Sequence, residues 1–214
     1  MASVPLFPLP MVLFPGTVEL LHIFEPRYRR MLADIMAGDR RFGLVCNPQG
    51  SPEEALPPGT IGTIAHVETV QALPDGRSNI AIRGLDRFVF RGYVSSDAPY
   101  RVGDTVSLLE SSTEPTSDLR ERLELLFDRA ARAARQLVDD HTPPPTLPMS
   151  VPERLYAMAQ LLDLPLSDRQ GLLAIHDTAT RAERLVAILA EAVPSLESRA
   201  ARHRAASTNG HGHH

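Results

Sequence analysis

Proline placement sets the first limit on what this chain can build. Proline lacks the N–H that helix interiors and central strands use, and its ring clashes with the preceding helical turn. The chain holds 19 prolines in 214 residues, and they cluster. Pro5, Pro8, Pro10 and Pro15 break up the first segment, and Pro143, Pro144, Pro145 and Pro148 punctuate a later one. Long uninterrupted elements are therefore excluded from both stretches.

Between those breaks the first half reads as strands. Residues 4–7 and 17–23 are apolar runs of strand length, bounded by Pro and Gly. Residues 61–73 and 79–91 are longer, and Pro74, Asp75 and Gly76 between them supply the chemistry of a hairpin turn. Ile80, Ile82, Phe88 and Phe90 are interspersed with Arg83, Arg87 and Arg91, as in strands that bury one face. Gly84 in their midst predicts a bulge, which would bend the strand round a small barrel. Residues 105–110 read as a closing strand. One helix interrupts this β region: Glu25 stands at its cap, Pro26 in its first turn and Gly38 at its end. Tyr28, Met31, Leu32 and Ile35 recur there at helical spacing and predict one buried face.

After residue 116 the period changes. Leu119, Leu123, Leu126, Ala130, Ala133 and Leu137 form a long amphipathic stripe. Three capping boxes follow, Ser150 with Glu153, Ser167 with Gln170 and Thr180 with Glu183, each ahead of an apolar helical pattern. The expectation is an α+β chain: a β-barrel subdomain over 1–116 with one inserted helix, an α-helical bundle over 117–197, and a disordered polar tail over 198–214.

Composition removes several chemistries. All 22 basic residues are Arg, so no phosphate-loop Lys, Ser-Lys dyad or Schiff-base Lys exists in this sequence. The net charge of −4 conceals no basic half, and nucleic acid is not expected as a partner. Cys46 is the single cysteine, which excludes an internal disulfide and a multi-Cys zinc site. The first 18 residues are uncharged, but their prolines and the lack of a preceding positive charge argue against a signal peptide. No run approaches the roughly 20 apolar residues of a membrane span. The expected setting is the cytoplasm.

Cys46 and His66 would make a nucleophile–base pair only if neighbouring strands aligned them, and an inert buried thiol is the commoner fate of such a cysteine. Asp139, Asp140 and His141, and His176 with Asp177, resemble acid–base or metal groups only superficially, and capping explains the second pair better. His211, His213 and His214 read as a solvated tail. No catalytic residue, metal or cofactor is expected, and a small hydrolase is the weakest of the alternatives. Arg83, Arg87 and Arg91 share one side of a regular strand, which leaves an RNA-binding barrel as an alternative. For the segment around Phe14 and Pro15, together with Phe24, two readings stay open: an apolar lip that grips clients, or core packing. Arg27 and Tyr28 likewise read either as part of a partner site or as a solvated arginine beside a buried ring.

The run VPLFPLPMVLFPGTVELLHIFEPRYRRML, with GTIGTIAHVETV, PDGR, AIRGLDRFVF and RLYAMAQLLDLPLSDRQGLL, resembles the substrate-binding N-terminal domain of Lon proteases, above all its stand-alone bacterial versions. The resemblance spans the chain to about residue 192. It implies a PUA-like pseudo-barrel followed by an α-helical subdomain. It also implies binding of unfolded or apolar protein segments without catalysis by this domain, with a separate protease or ATPase as a further partner. Phe14, Pro15, Phe24, Arg27 and Tyr28 are the expected protein-binding residues.

Overall fold

The computed structural model describes residues 2–48, 56–111, 113–140 and 142–209. Six strands and five helices lie among them: β1 (Ala2–Leu9), β2 (Val18–Ile23), α1 (Pro26–Met36), β3 (Arg41–Cys46), β4 (Ile61–Ala72), β5 (Ser78–Val94), β6 (Val102–Leu108), α2 (Ser117–Leu137), α3 (Val151–Leu161), α4 (Leu166–Ala174) and α5 (Thr178–Asn209). They divide into two compact units, Met1–Glu110 with Asp163–His176, and Ser111–Leu162 with Asp177–His214.

The first unit is a sheet that closes on itself. The strand order is β2-β5-β4-β3-β1-β6, and β6 pairs back onto β5. Closure needs one strand long enough to serve two circuits, and β5 is that strand at 17 residues. Its first half lies between β2 and β4, and its second half meets β4 and β6. The register of β4 on β5 slips between the Ala65–Gly84 and Thr63–Arg87 pairs, which places the expected bulge. Glycine is required at Gly84, because an added Cβ would lie 2.2 Å from the Phe14 carbonyl oxygen. Gly16 N and Gly84 N donate across this crossing, to Gly84 O and Thr17 O.

β1 carries two prolines without breaking the sheet. Its residues 2–5 pair only with β6 and its residues 6–9 only with β3. Each half therefore has an unladdered side on which a missing N–H costs little. Successive residues of β1 point to opposite faces. Phe7 enters a core with Leu13, Phe42, Val67, Ile82 and the buried face of α1, while Leu6 joins Val45, Phe88 and Phe90 in a second cluster. The α1 face is the expected set, Tyr28, Met31, Leu32 and Ile35. Glu25 is its N-cap residue but makes no side-chain capping bond.

The last element of this unit departs from expectation. α4, placed in a bundle over 117–197 by the sequence, groups with the sheet. Arg87 explains the docking. Its Nη1 donates to the carbonyls of Leu173 and Ile175 at 2.7 and 2.6 Å, and its Nη2 to Glu110 Oε2 at 2.7 Å. Gln170 Nε2 adds a bond of 2.9 Å to Ile61 O. These partners satisfy the carbonyls at the C-terminal end of a nine-residue helix, which its own ladder leaves unpaired. The boundary expected at 116 is accordingly at Glu110, with residues 163–176 returned to the barrel.

The second unit is helical. α2 and α3 both pack against α5, and the α2 stripe buries Leu123, Leu126, Phe127, Ala130 and Ala133. Arg181 is fully buried there, its guanidinium 4.3 Å from the Tyr156 ring centroid. The tail expected from 198 is instead helical through Asn209; residues 210–214, with the terminal histidines, lie outside the described residues, as does His141. Two caps also move. Pro165, not Ser167, precedes α4, and Asp177 rather than Thr180 starts α5.

Asp177 Oδ1 accepts from Thr180 N at 2.8 Å and from Thr180 Oγ1 at 2.9 Å. A hydrogen bond with Thr113, followed by those from Thr180, holds its carboxyl at about 2 instead of the usual 3.8. A carboxylate with a depressed native pKa stabilises the fold above its unfolded pKa and loses that contribution as pH falls. Asp177→Ala is therefore expected to lower the melting temperature at pH 6, with the gap from the parent closing between about pH 4 and 2. Melts across that range check it; a constant gap would assign Asp177 no linked proton.

Candidate functional site

The expected site residues part company in the structure. Phe14 is 0% exposed, and the Arg169 guanidinium lies over its ring, 5.1 Å from the centroid. Burial pulls the Arg169 pKa down, against the opposing pull of Glu19 and Asp163. Phe14 thus belongs to the interior of the barrel unit and forms no open lip. Pro15 beside it is half-buried. Tyr28 is buried as well, its ring 4.1 Å from that of Phe7. Helical period explains this position: residue 28 falls on the same face as 31, 32 and 35. Arg27 is half-exposed; its Nη2 lies 2.8 Å from Glu25 Oε2 and its guanidinium 4.6 Å from the Tyr28 ring centroid.

Phe24 is the member that reaches solvent, at 58% exposure. It continues a line along β2. Val18 is 44% exposed and Leu20 79%, so the outward face of this strand reads Val18, Leu20, His22, Phe24 at a period of two. His22 Nδ1 donates to Asn79 Oδ1 at 2.7 Å and its ring stacks on Phe24 at 6.0 Å between centroids. The neighbouring charges are matched: Arg83 Nε meets Glu68 Oε1 at 2.5 Å, and Arg27 meets Glu25. An apolar line flanked by neutralised charges suits an uncharged partner. Among the described residues β2 also ends the strand order and pairs with β5 alone. Val18 and Leu20 were legible only as strand residues, since edge position is a property of the whole sheet.

A second apolar surface lies beside α4. A groove of about 560 Å³ is bounded by Cys46, Thr60, Ile61, Leu166, Gln170 and Ala174. Burial pushes the Cys46 thiol up from its usual pKa, which disfavours the thiolate a nucleophile needs. His66 does not reach it. Register pairs Arg41 with His66 and Val45 with Gly62, so Cys46 and His66 sit at opposite ends of the β3–β4 ladder. Nor do the three arginines of β5 form a stripe. Arg87 is buried among carbonyls while Arg83 and Arg91 are exposed, because one irregularity between Gly84 and Arg87 and a second between Phe90 and Gly92 break their phase. Among the described residues no group of three or more His, Cys, Asp or Glu is placed to hold a metal, and no helix is long and apolar enough to cross a membrane.

Comparison with known proteins agrees with this geometry. Residues 3–191 match the family described as the ATP-dependent protease La (LON) substrate-binding domain. The Lon protease of Xanthomonas oryzae pv. oryzae is 28% identical over 198 residues, covering 87% of this chain and 23% of that protein. The Lon protease of Escherichia coli K12 is also 28% identical, over 207 residues that cover 91% of this chain and 25% of that protein. The chain thus spans about a quarter of the length of these relatives. Among solved structures, a Lon N-terminal domain protein from Xanthomonas campestris superposes with a TM-score of 0.62 at 26% identity, covering 87% of this chain and 98% of that one. The N-terminal domain of Mycobacterium avium complex Lon protease shares the fold, with a TM-score of 0.63 at 16% identity over 88% of this chain and 98% of that one. The chain belongs to the family of Lon substrate-binding domains.

Proposed function

We propose that this chain is a non-catalytic protein-binding module that captures apolar segments of client proteins in the cytoplasm, as an adaptor in protein quality control. The observation that carries the reading is the exposed line Val18, Leu20 and Phe24, flanked by charges that already have partners. Exposed apolar patches on soluble domains mark interaction sites. The match to a substrate-binding family gives the line its most economical use. A separate protease or ATPase would receive the captured client. The domain itself contributes recognition: burial raises the pKa of the half-buried Cys46 thiol, and His66 is too distant to act as its base.

A titration with a reduced, carboxymethylated unfolded protein tests this. Leu20→Ser and Phe24→Ser each delete an exposed anchor, and each is expected to weaken binding about 5- to 30-fold, as a loss of about 1–2 kcal/mol requires. Their melting temperatures should stay within about 2 °C of the parent, because surface substitutions change stability little. Unchanged binding by both variants would remove the reading.

A further inference from the structure

The line on β2 does more than offer apolar side chains, because it sits on a sheet edge. The bond from Gly84 N to Thr17 O, 2.9 Å long, fixes the phase of the β2–β5 ladder. Antiparallel strands alternate, so Glu19, Leu21 and Ile23, opposite Ile82, Ile80 and Ser78, turn their backbone groups toward β5. Val18, Leu20 and His22 then turn their N–H and C=O groups away from the sheet. The residues whose backbone faces outward are thus the ones whose side chains are exposed. β2 holds no Pro, and its one carboxylate, Glu19, alternates onto the face opposite Val18 and Leu20, so the outward row carries no acidic or basic side chain except His22.

We propose that β2 takes its client as an added strand: an extended, uncharged segment whose main chain pairs with Val18, Leu20 and His22 while alternate apolar side chains lie along Val18, Leu20 and Phe24. This rests on the protein-binding reading above and names its substrate class. Backbone pairing supplies affinity without demanding a sequence, and the period of two supplies the selectivity. The apolar area on offer is on the order of a few hundred Å². A stable dimer needs about 800 Å² from each partner, so a short client segment fits this edge and a β2–β2 pairing between copies of the chain does not. The charges at Arg83–Glu68 and Arg27–Glu25 beside the line are paired with one another, which favours an uncharged segment there.

The test uses an acetylated, amidated ten-residue peptide of alternating Ile and Ser, and the same peptide N-methylated at two residues on each edge. The full chain should bind the first and bind the methylated form at least tenfold more weakly. On binding, amide exchange at Val18, Leu20 and His22 should slow at least tenfold, with little change at the already bonded Glu19, Leu21 and Ile23. Equal affinity for both peptides, with Leu20→Ser still weakening them, would overturn strand addition and leave the protein-binding reading standing. Binding of neither peptide, together with unchanged capture of unfolded protein by Leu20→Ser, would remove both. A concentration-dependent dimer at micromolar chain that protects the same three amides would give the edge to a second copy and overturn the proposal.

Discussion

Phe14→Ala is expected to cost about 3–5 kcal/mol, the range for deleting a fully buried aromatic ring. The ring has no exposure, packs beneath the Arg169 guanidinium and belongs to the segment whose carbonyl touches Gly84. Truncation would open a cavity at the crossing of β5 with the residues leading into β2, a place where the backbone has no room to collapse. Urea unfolding of parent and variant measures the loss. A second readout separates stability from recognition: at 10 °C, where the folded variant is retained, its affinity for an unfolded client should match the parent, because Phe14 is not part of the exposed line. A loss of less than 1 kcal/mol would mean that the ring is not held in the core.

The second large effect is expected at Arg87. Breaking a buried charge cluster by removing one partner typically costs about 3–5 kcal/mol, since the remaining groups stay buried and unpaired. In Arg87→Met the aliphatic stem survives while the donors to Leu173 O, Ile175 O and Glu110 vanish. The loss should concentrate on α4. Limited proteolysis is expected to cut within 163–176 in the variant well before it cuts the parent. A melting temperature lowered by less than about 3 °C, with no new cleavage, would show that α4 is held by its apolar side, Leu172 and Leu173, and that Arg87 is dispensable.

What the residues disclosed in advance was decided by the range of the interaction. The α1 face was legible because Tyr28, Met31, Leu32 and Ile35 repeat at the helical period within one short window. The hairpin turn was legible because Gly76, at φ +79°, adopts a conformation that glycine tolerates and most residues avoid. Phe14 gave no such signal. It lies among prolines, where no period develops, and its burial depends on a strand some 70 residues away in sequence. Arg87 misled for the same reason: its acceptors are 86 and 88 residues distant, so local alternation placed it on a solvated stripe. α4 has only a brief apolar pair, Leu172 and Leu173, which tells that it packs but not on what. The candidate site was legible in one residue, Phe24, and not in its partners Val18 and Leu20. Which strand is left at an edge emerges only from the closure of the sheet.

The return of residues 163–176 to the barrel has a consequence for biosynthesis. The barrel unit is discontinuous in the chain, with residues 111–162 intervening between its last strand and its last helix. A nascent chain emerging from the ribosome N-terminus first would expose six finished strands while Arg87 still lacks the carbonyls it is built to hold. At about 5–20 residues per second, that interval lasts a few seconds. During it Arg87 has Glu110 but not the Leu173 and Ile175 carbonyls, and the surface where α4 belongs stays open, so its last cooperative step must wait for Ile175 to clear the exit tunnel. This domain therefore begins life briefly resembling the unfinished proteins that it is proposed to recognise.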